Sequence, residues 1–155
     1  MPLHNYALQL IWQGNNGTGT SSYKNYERSY TVQIQGKPII QGSSDPAFRG
    51  DATKINPEEM LLASVASCHM LWYLHLCAVM GIVVVDYTDN ARATMQENED
   101  GGGHFSQILL APTVLIKDEN QIEKAIALHA DANKKCFVAN SLNCPVLHTP
   151  TCKAI

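Results

Sequence analysis

The sequence predicts an α+β fold in the order βββ-α-ββ-α-β, and three observations carry that expectation. Strand-like runs come in groups rather than alternating singly with helices, which is not strict βαβ winding. A stretch from Met60 to Val85 without formal charge opens on a strong helix start and is divided by Gly81. A second segment, Asn120 to Ala139, places Ile122, Ile126, His129, Asn133 and Cys136 at three-to-four spacing, the mark of a helix face.

Taken in order, Tyr6 to Trp12 reads as a first strand, and the Gly/Asn/Thr/Ser-rich Gln13 to Ser22 as a loop. That loop lacks the lysine of a nucleotide-binding P-loop. Arg28 to Gln35 alternates as a half-buried strand does, Gly36-Lys37-Pro38 turns, and Pro38 to Gly42 returns. Ser43 to Ile55 is irregular. Asn56 then caps a helix whose first residue, Pro57, loses nothing by lacking an N–H, and Glu59 stands three residues after the cap in capping-box position. The helix runs to about Met80 and stops at Gly81. Ile82 to Gln96 reads as one long strand, Glu97 to Gly103 as an acidic, glycine-rich turn, and His104 to Ile116 as the return, with Pro112 at an edge or bulge. Pro145 to Ile155 is the terminal strand.

The 155 residues, 45% hydrophobic and 16% charged, suit a single domain over 1–155 with a real core. A net charge of −3 gives no reason to expect nucleic acid. Met1 to Tyr6 has neither a basic nor an apolar leader pattern, so a cytoplasmic location is expected. The uncharged run is long enough for a membrane span. However, it contains Ser64, Ser67, His69 and His75, is broken by Gly81, and has acidic flanks on both sides. The expectation is therefore a helix buried on most of its sides, and no membrane.

Five cysteines, Cys68, Cys77, Cys136, Cys144 and Cys152, are an odd number, so in a reducing compartment they are packing, metal ligands or redox groups. Cys68 lies mid-helix, where no N-terminal dipole helps a thiolate, so a reactive Cys68 needs a cation. Arg28, Arg49 and Arg92 are the only arginines. Arg49 lies just before the helix, and Glu58 is a carboxylate suited to hold its guanidinium.

Asn56-Pro57-Glu58-Glu59 followed by Cys68, ten residues after Glu58, resembles the helix signature of the OsmC/Ohr family, the osmotically induced and organic hydroperoxide resistance proteins. His129 to Ser141, with Cys136, is similar to that family's second cysteine helix. The segments Ser44 to Asp51 and Cys68 to His75 resemble an OsmC-like subgroup. The resemblance covers nearly the whole chain and implies a peroxidase without a cofactor. In that scheme Cys68 attacks a hydroperoxide, Cys136 resolves the sulfenic acid as a disulfide, and a dithiol reductant resets the pair. Glu58 carries over onto the family's carboxylate. The arginine is Arg49 by proximity to the motif, with Arg28 in reserve. Ten residues of helix separate Glu58 from Cys68 by roughly 15 Å, so either Arg49 spans the gap or Glu58 serves a second chain. Together with the uncharged helix, this suits the intertwined homodimer for which the family is known.

Two other readings stay open. Cys144, His148 and Cys152 have zinc-ligand chemistry at four-residue intervals, but Pro145 and Pro150 forbid a helix, and a strand spreads them over about 13 Å. A non-catalytic module could instead hold a lipid-like or aromatic ligand among Phe48, Met70, Trp72 and Tyr73. Cys77, Cys144 and Cys152 read as structural, and His75, His104 and His129 as packing or surface residues.

Overall fold

The computed structural model describes all residues, Met1 to Ile155, which divide into two compact units, Met1–Leu61 and Leu62–Ile155. In the first unit, β1 (Gln9–Trp12), β2 (Tyr30–Gln33) and β3 (Ile40–Gly42) form an antiparallel meander with β2 in the centre. Tyr30 pairs with Trp12 on one side and with Gly42 on the other. Glycine is required at position 42, because a Cβ there would lie 2.3 Å from the Tyr30 ring. After a short 3-10 turn at Pro46–Phe48, helix α1 (Pro57–Val79) begins as expected. Asn56 Oδ1 accepts the Glu59 N–H at 2.8 Å, and the Asn56 N–H donates to Glu59 Oε2 at 3.0 Å. This is a complete capping box with asparagine in the Ser/Thr role.

The helix ends in a Schellman motif. Gly81 takes φ +72, its N–H donates to Ala78 O, and the Ile82 N–H donates to Cys77 O at 2.8 Å. Within the chain, α1 buries a single stripe: Val65, His69, Tyr73 and Cys77. Leu71, at 63% exposure, and Val79, at 67%, stay open. Burial on most sides is thus not reached by one chain, because its remaining elements cover only one face.

In the second unit, the two long strands and the terminal strand expected from sequence are each folded in two. The pieces are β4 (Val84–Asp89) and β5 (Arg92–Glu97), β6 (Gly103–Leu110) and β7 (Pro112–Ile116), and β8 (Val146–His148) and β9 (Thr151–Ala154). They assort into two three-stranded sheets, β4-β7-β9 and β5-β6-β8. β4 and β5 run antiparallel to β7 and β6, whereas β8 and β9 run parallel to β6 and β7. The breaks fall at Asn90–Ala91, at Ala111 and at Thr149–Pro150. Pro112 and Pro150 cannot donate to a continuous ladder, and the free Ala111 N–H is taken by Asp89 Oδ1 at 2.8 Å. Helix α2 (Ile122–Lys135) is shorter than the periodicity suggests. Cys136 leaves it in an extended conformation as the C-cap, and a 3-10 turn at Ala139–Ser141 follows.

Two apolar clusters result. One joins Tyr73 and Cys77 of α1 to Ile82, Val114, Ile116 and the α2 residues Ala125, Leu128 and Ala132. The other joins Val65 to Ile108 and Leu110 of β6.

Candidate functional site

In the second unit, Cys68 of α1 and Cys136 at the end of α2 come together. All five cysteines are free thiols. Cys136 is fully buried, while Cys68 is half-buried. Burial, and next the adjacent Cys68 side chain, push the Cys136 thiol up to about 11, so Cys136 is a protonated thiol facing the Cys68 sulfur. The Ala139 N–H donates to Cys136 Sγ at 3.4 Å. That contact exists because the chain turns immediately after the helix. The 3-10 turn after the extended cap therefore supplies the Cys136 sulfur with a donor.

The remaining cysteines have other neighbours. Cys77 is 1% exposed and lies against the Tyr73 side chain in the first cluster. Cys152 packs on the same cluster, and Cys144 on the second. The zinc reading of Cys144, His148 and Cys152 is thus met by side chains that serve different cores. The ligand-pocket reading also changes. Tyr73 is fully buried core, and Phe48 belongs to the first unit. Trp72 instead lines a shallow apolar cleft with Leu71 and His75, edge-on to Phe137 at 5.7 Å.

Three residues of the first unit complete the set named from sequence. Glu58 Oε2 is buried without a hydrogen-bond partner. The Tyr30 phenol is raised first by burial and then by the Glu58 charge. Arg49 is the one non-glycine residue with positive φ, +65. Its N–H closes the 3-10 turn on Pro46 O, and its guanidinium lies 6.0 Å from the Tyr23 ring centroid. The expected ion pair between Arg49 and Glu58 is not formed. The chain's ion pairs are Lys54–Asp51 and Lys134–Asp131. Arg28 is committed elsewhere, donating to Tyr26 O at 2.5 Å and Tyr23 O at 2.6 Å beneath both rings.

The sequence reading missed a cluster of buried histidines on α1 and α2. His69 Nε2 lies 2.9 Å from His129 Nδ1, and both residues are fully buried. Their rings are within 10° of parallel with centroids 5.2 Å apart. At that separation the contact is an edge-to-edge hydrogen bond and not a stack. Tyr73 stacks face-on against His129 at 3.8 Å, and the half-buried His148 ring stands 5.9 Å from His69 and 6.3 Å from His129. Burial, then the neighbouring His148, lower His69 to about 4. Burial, then His69 and His148, lower His129 to about 3. Both are neutral at ordinary pH. The available signal was α1's i, i+4 stripe, which places His69 between Val65 and Tyr73 on the buried face.

The fold is a mixed α+β chain in which two free cysteines, one on α1 and one at the end of α2, come together. Its particular kind follows from comparison: residues 50–150 match the sequence profile of the OsmC-like protein family, and the chain belongs to that family. An OsmC-like protein of unknown function from Vibrio cholerae is similar at 26% identity and TM-score 0.82, over 96% of this chain and 99% of that one. An organic hydroperoxide resistance protein from Elizabethkingia anophelis shares the fold at 17% identity and TM-score 0.68, over 98% and 99% of the two chains. One from Legionella pneumophila does so at 18% and 0.68, over 99% of each. No curated protein sequence matches the chain.

Proposed function

We propose that this protein is a thiol peroxidase that reduces organic hydroperoxides. The observation that carries the reading is the meeting of two reduced cysteines, one half-buried and one buried. Membership of the OsmC-like family and fold likeness to proteins described as organic hydroperoxide resistance proteins support it. The Cys68 thiolate attacks the outer peroxide oxygen. The O–O bond breaks, the alkoxide takes a proton and leaves as alcohol, and Cys68 becomes a sulfenic acid. The Cys136 sulfur then displaces the sulfenic hydroxyl, which leaves as water with the Cys136 proton, and the disulfide forms. An external dithiol returns both cysteines to thiols by two exchange steps.

Glu58 is assigned to activation on the ground of the family motif, and Arg49 by its proximity to that motif. Arg49 is preferred over Arg28 because two carbonyls already hold the Arg28 guanidinium, whereas Arg49 forms no ion pair. The whole chain, 1–155, is taken as one OsmC-like domain, in keeping with a structural likeness that runs over 96% of it. The open faces of α1 and of β1, where Leu10 is 62% exposed, support a homodimer. A reducing, cytoplasmic setting suits the free thiols. Sedimentation showing a stable, active monomer overturns the dimer.

The decisive test is to add cumene hydroperoxide to the reduced protein and count free thiols. Loss of two thiols per chain, linked as Cys68–Cys136 by peptide mapping, is the expected result, and Cys68→Ser abolishes it. A wild type that consumes no peroxide overturns the peroxidase and leaves a binding module using the Leu71–Trp72–His75 cleft.

A further inference from the structure

The geometry points to His69 and His129 as a positioning pair, whose single hydrogen bond sets α2 against α1 so that Cys136 faces Cys68. This rests on the Cys68–Cys136 pairing proposed above and goes beyond it by naming what holds the pair in register.

Three observations carry the inference. The first is adjacency. His69 follows Cys68 directly on α1, and His129 lies seven residues before Cys136, nearly the same face two turns earlier and about 10 Å away along the axis. The histidine bond and the cysteine pair thus tie neighbouring residues of α1 to two positions of α2 two turns apart. The apolar cluster of Tyr73 and Cys77 with Ala125, Leu128 and Ala132 is non-directional, so a directional bond fixes the register that apolar contacts leave free. The second is orphaned polarity. His69 Nδ1 and His129 Nε2 are buried without partners. Two neutral imidazoles carry two ring protons on four nitrogens. One proton lies in the shared bond, and the other sits at an open end as an unpaired buried donor, a costly arrangement. Slipping either helix would break the one bond and leave all four nitrogens unpaired, so the cost penalises wrong registers more than the native one. The third is clamping. Tyr73, one turn beyond His69 on the same stripe, stacks on the His129 face at 3.8 Å. The ring is therefore fixed in plane by the hydrogen bond and out of plane by the phenol.

The bond is specific to one nitrogen on each ring, and this gives a test that separates positioning from bulk. A glutamine amide reaches the position of histidine Nε2, and an asparagine amide that of Nδ1. His69→Gln and His129→Asn therefore retain the bond, while His69→Asn and His129→Gln lose it. The measurement is the equilibrium between the Cys68–Cys136 disulfide and the dithiol in glutathione redox buffers, read by alkylation and mass spectrometry on the full chain, with thermal midpoints recorded in parallel. No peroxide is used. The bond-losing variants are expected to lower the equilibrium constant for disulfide formation about tenfold, the scale of one lost buried hydrogen bond. The bond-keeping variants should stay within about threefold of wild type. Equal shifts in all four variants, no shift in any, or unfolding of the bond-keeping pair overturns the inference while leaving the peroxidase reading intact. A wild type that forms no Cys68–Cys136 disulfide in this titration overturns the resolving step itself.

Discussion

Helix α1 carries two cysteines nine residues apart, and they sit in opposite environments. Cys68 is half-buried and faces a second sulfur, beside a chain turn whose amide donates to that partner. Cys77 is sealed in the main apolar cluster with an aromatic side chain against it, and burial raises its thiol. Helix, residue type and unit are the same, so what differs is the neighbours. A thiol becomes a redox group through a partner sulfur within reach and a path for substrate, and a thiol with neither behaves as a small hydrophobe.

The largest expected effect tests that contrast directly. Cys68→Ser should abolish peroxide-driven thiol loss, whereas Cys77→Ala should keep two thiols lost per chain after peroxide, counted by thiol titration. Cys136→Ser should permit the first step and leave a Cys68 sulfenic acid that dimedone traps. Loss of peroxide chemistry in Cys77→Ala, with folding intact by circular dichroism, breaks the comparison.

The second effect concerns the buried histidines His69 and His129. Their folded pKa values, about 4 for His69 and about 3 for His129, lie below the ordinary 6.5. Below 6.5 the unfolded chain takes up protons that the folded chain refuses, so their stability contribution is complete above pH 6.5 and declines as pH falls toward 4. Each histidine adds a slope of about 1.4 kcal/mol per pH unit in that window. Urea unfolding between pH 7 and 4.5 should show the combined slope, and His129→Asn should remove about half of it. A flat profile shows that the pair is not protected as its burial implies.

Third, Cys77→Ser should cost about 2 kcal/mol, because it places a hydroxyl in an apolar cluster, and should leave the Cys68–Cys136 equilibrium unchanged. Denaturant unfolding and the glutathione titration read the two quantities separately.

The legible and illegible parts of this molecule divide along the range of the forces involved. The start and stop of α1 were readable because Asn56, Glu59 and Gly81 act within their own turns. The meeting of Cys68 and Cys136 was available through motif resemblance alone, since it joins residues 68 apart that no periodicity relates. The splitting of the long hairpin was half visible: Pro112 signals a break, but its level is set by pairing with β4 and by Asp89 capping Ala111, which are tertiary facts. The histidine bond was invisible for the same reason. His69 follows Cys68 directly, so on a helix it points about 100° away from the thiol, and that turn is what aims it at His129 of α2.

The smallest effect sharpens the comparison most finely. Cys144 is half-buried like Cys68 but packs on the Val65, Ile108 and Leu110 cluster, so exposure alone does not distinguish the two. If a partner sulfur is what separates them, Cys144→Ala should change stability by no more than about 1 kcal/mol, as for loss of a small, partly buried group, and leave both the thiol count and the disulfide equilibrium as they are, once the missing thiol is subtracted. Alkylation rates add a second reading: Cys144 should remain modifiable after peroxide treatment, when Cys68 and Cys136 have become inaccessible to the reagent. Protection of Cys144 by peroxide shows that its sulfur also enters the redox cycle, and the line between reactive and packing thiols must then be drawn by exposure rather than by partner.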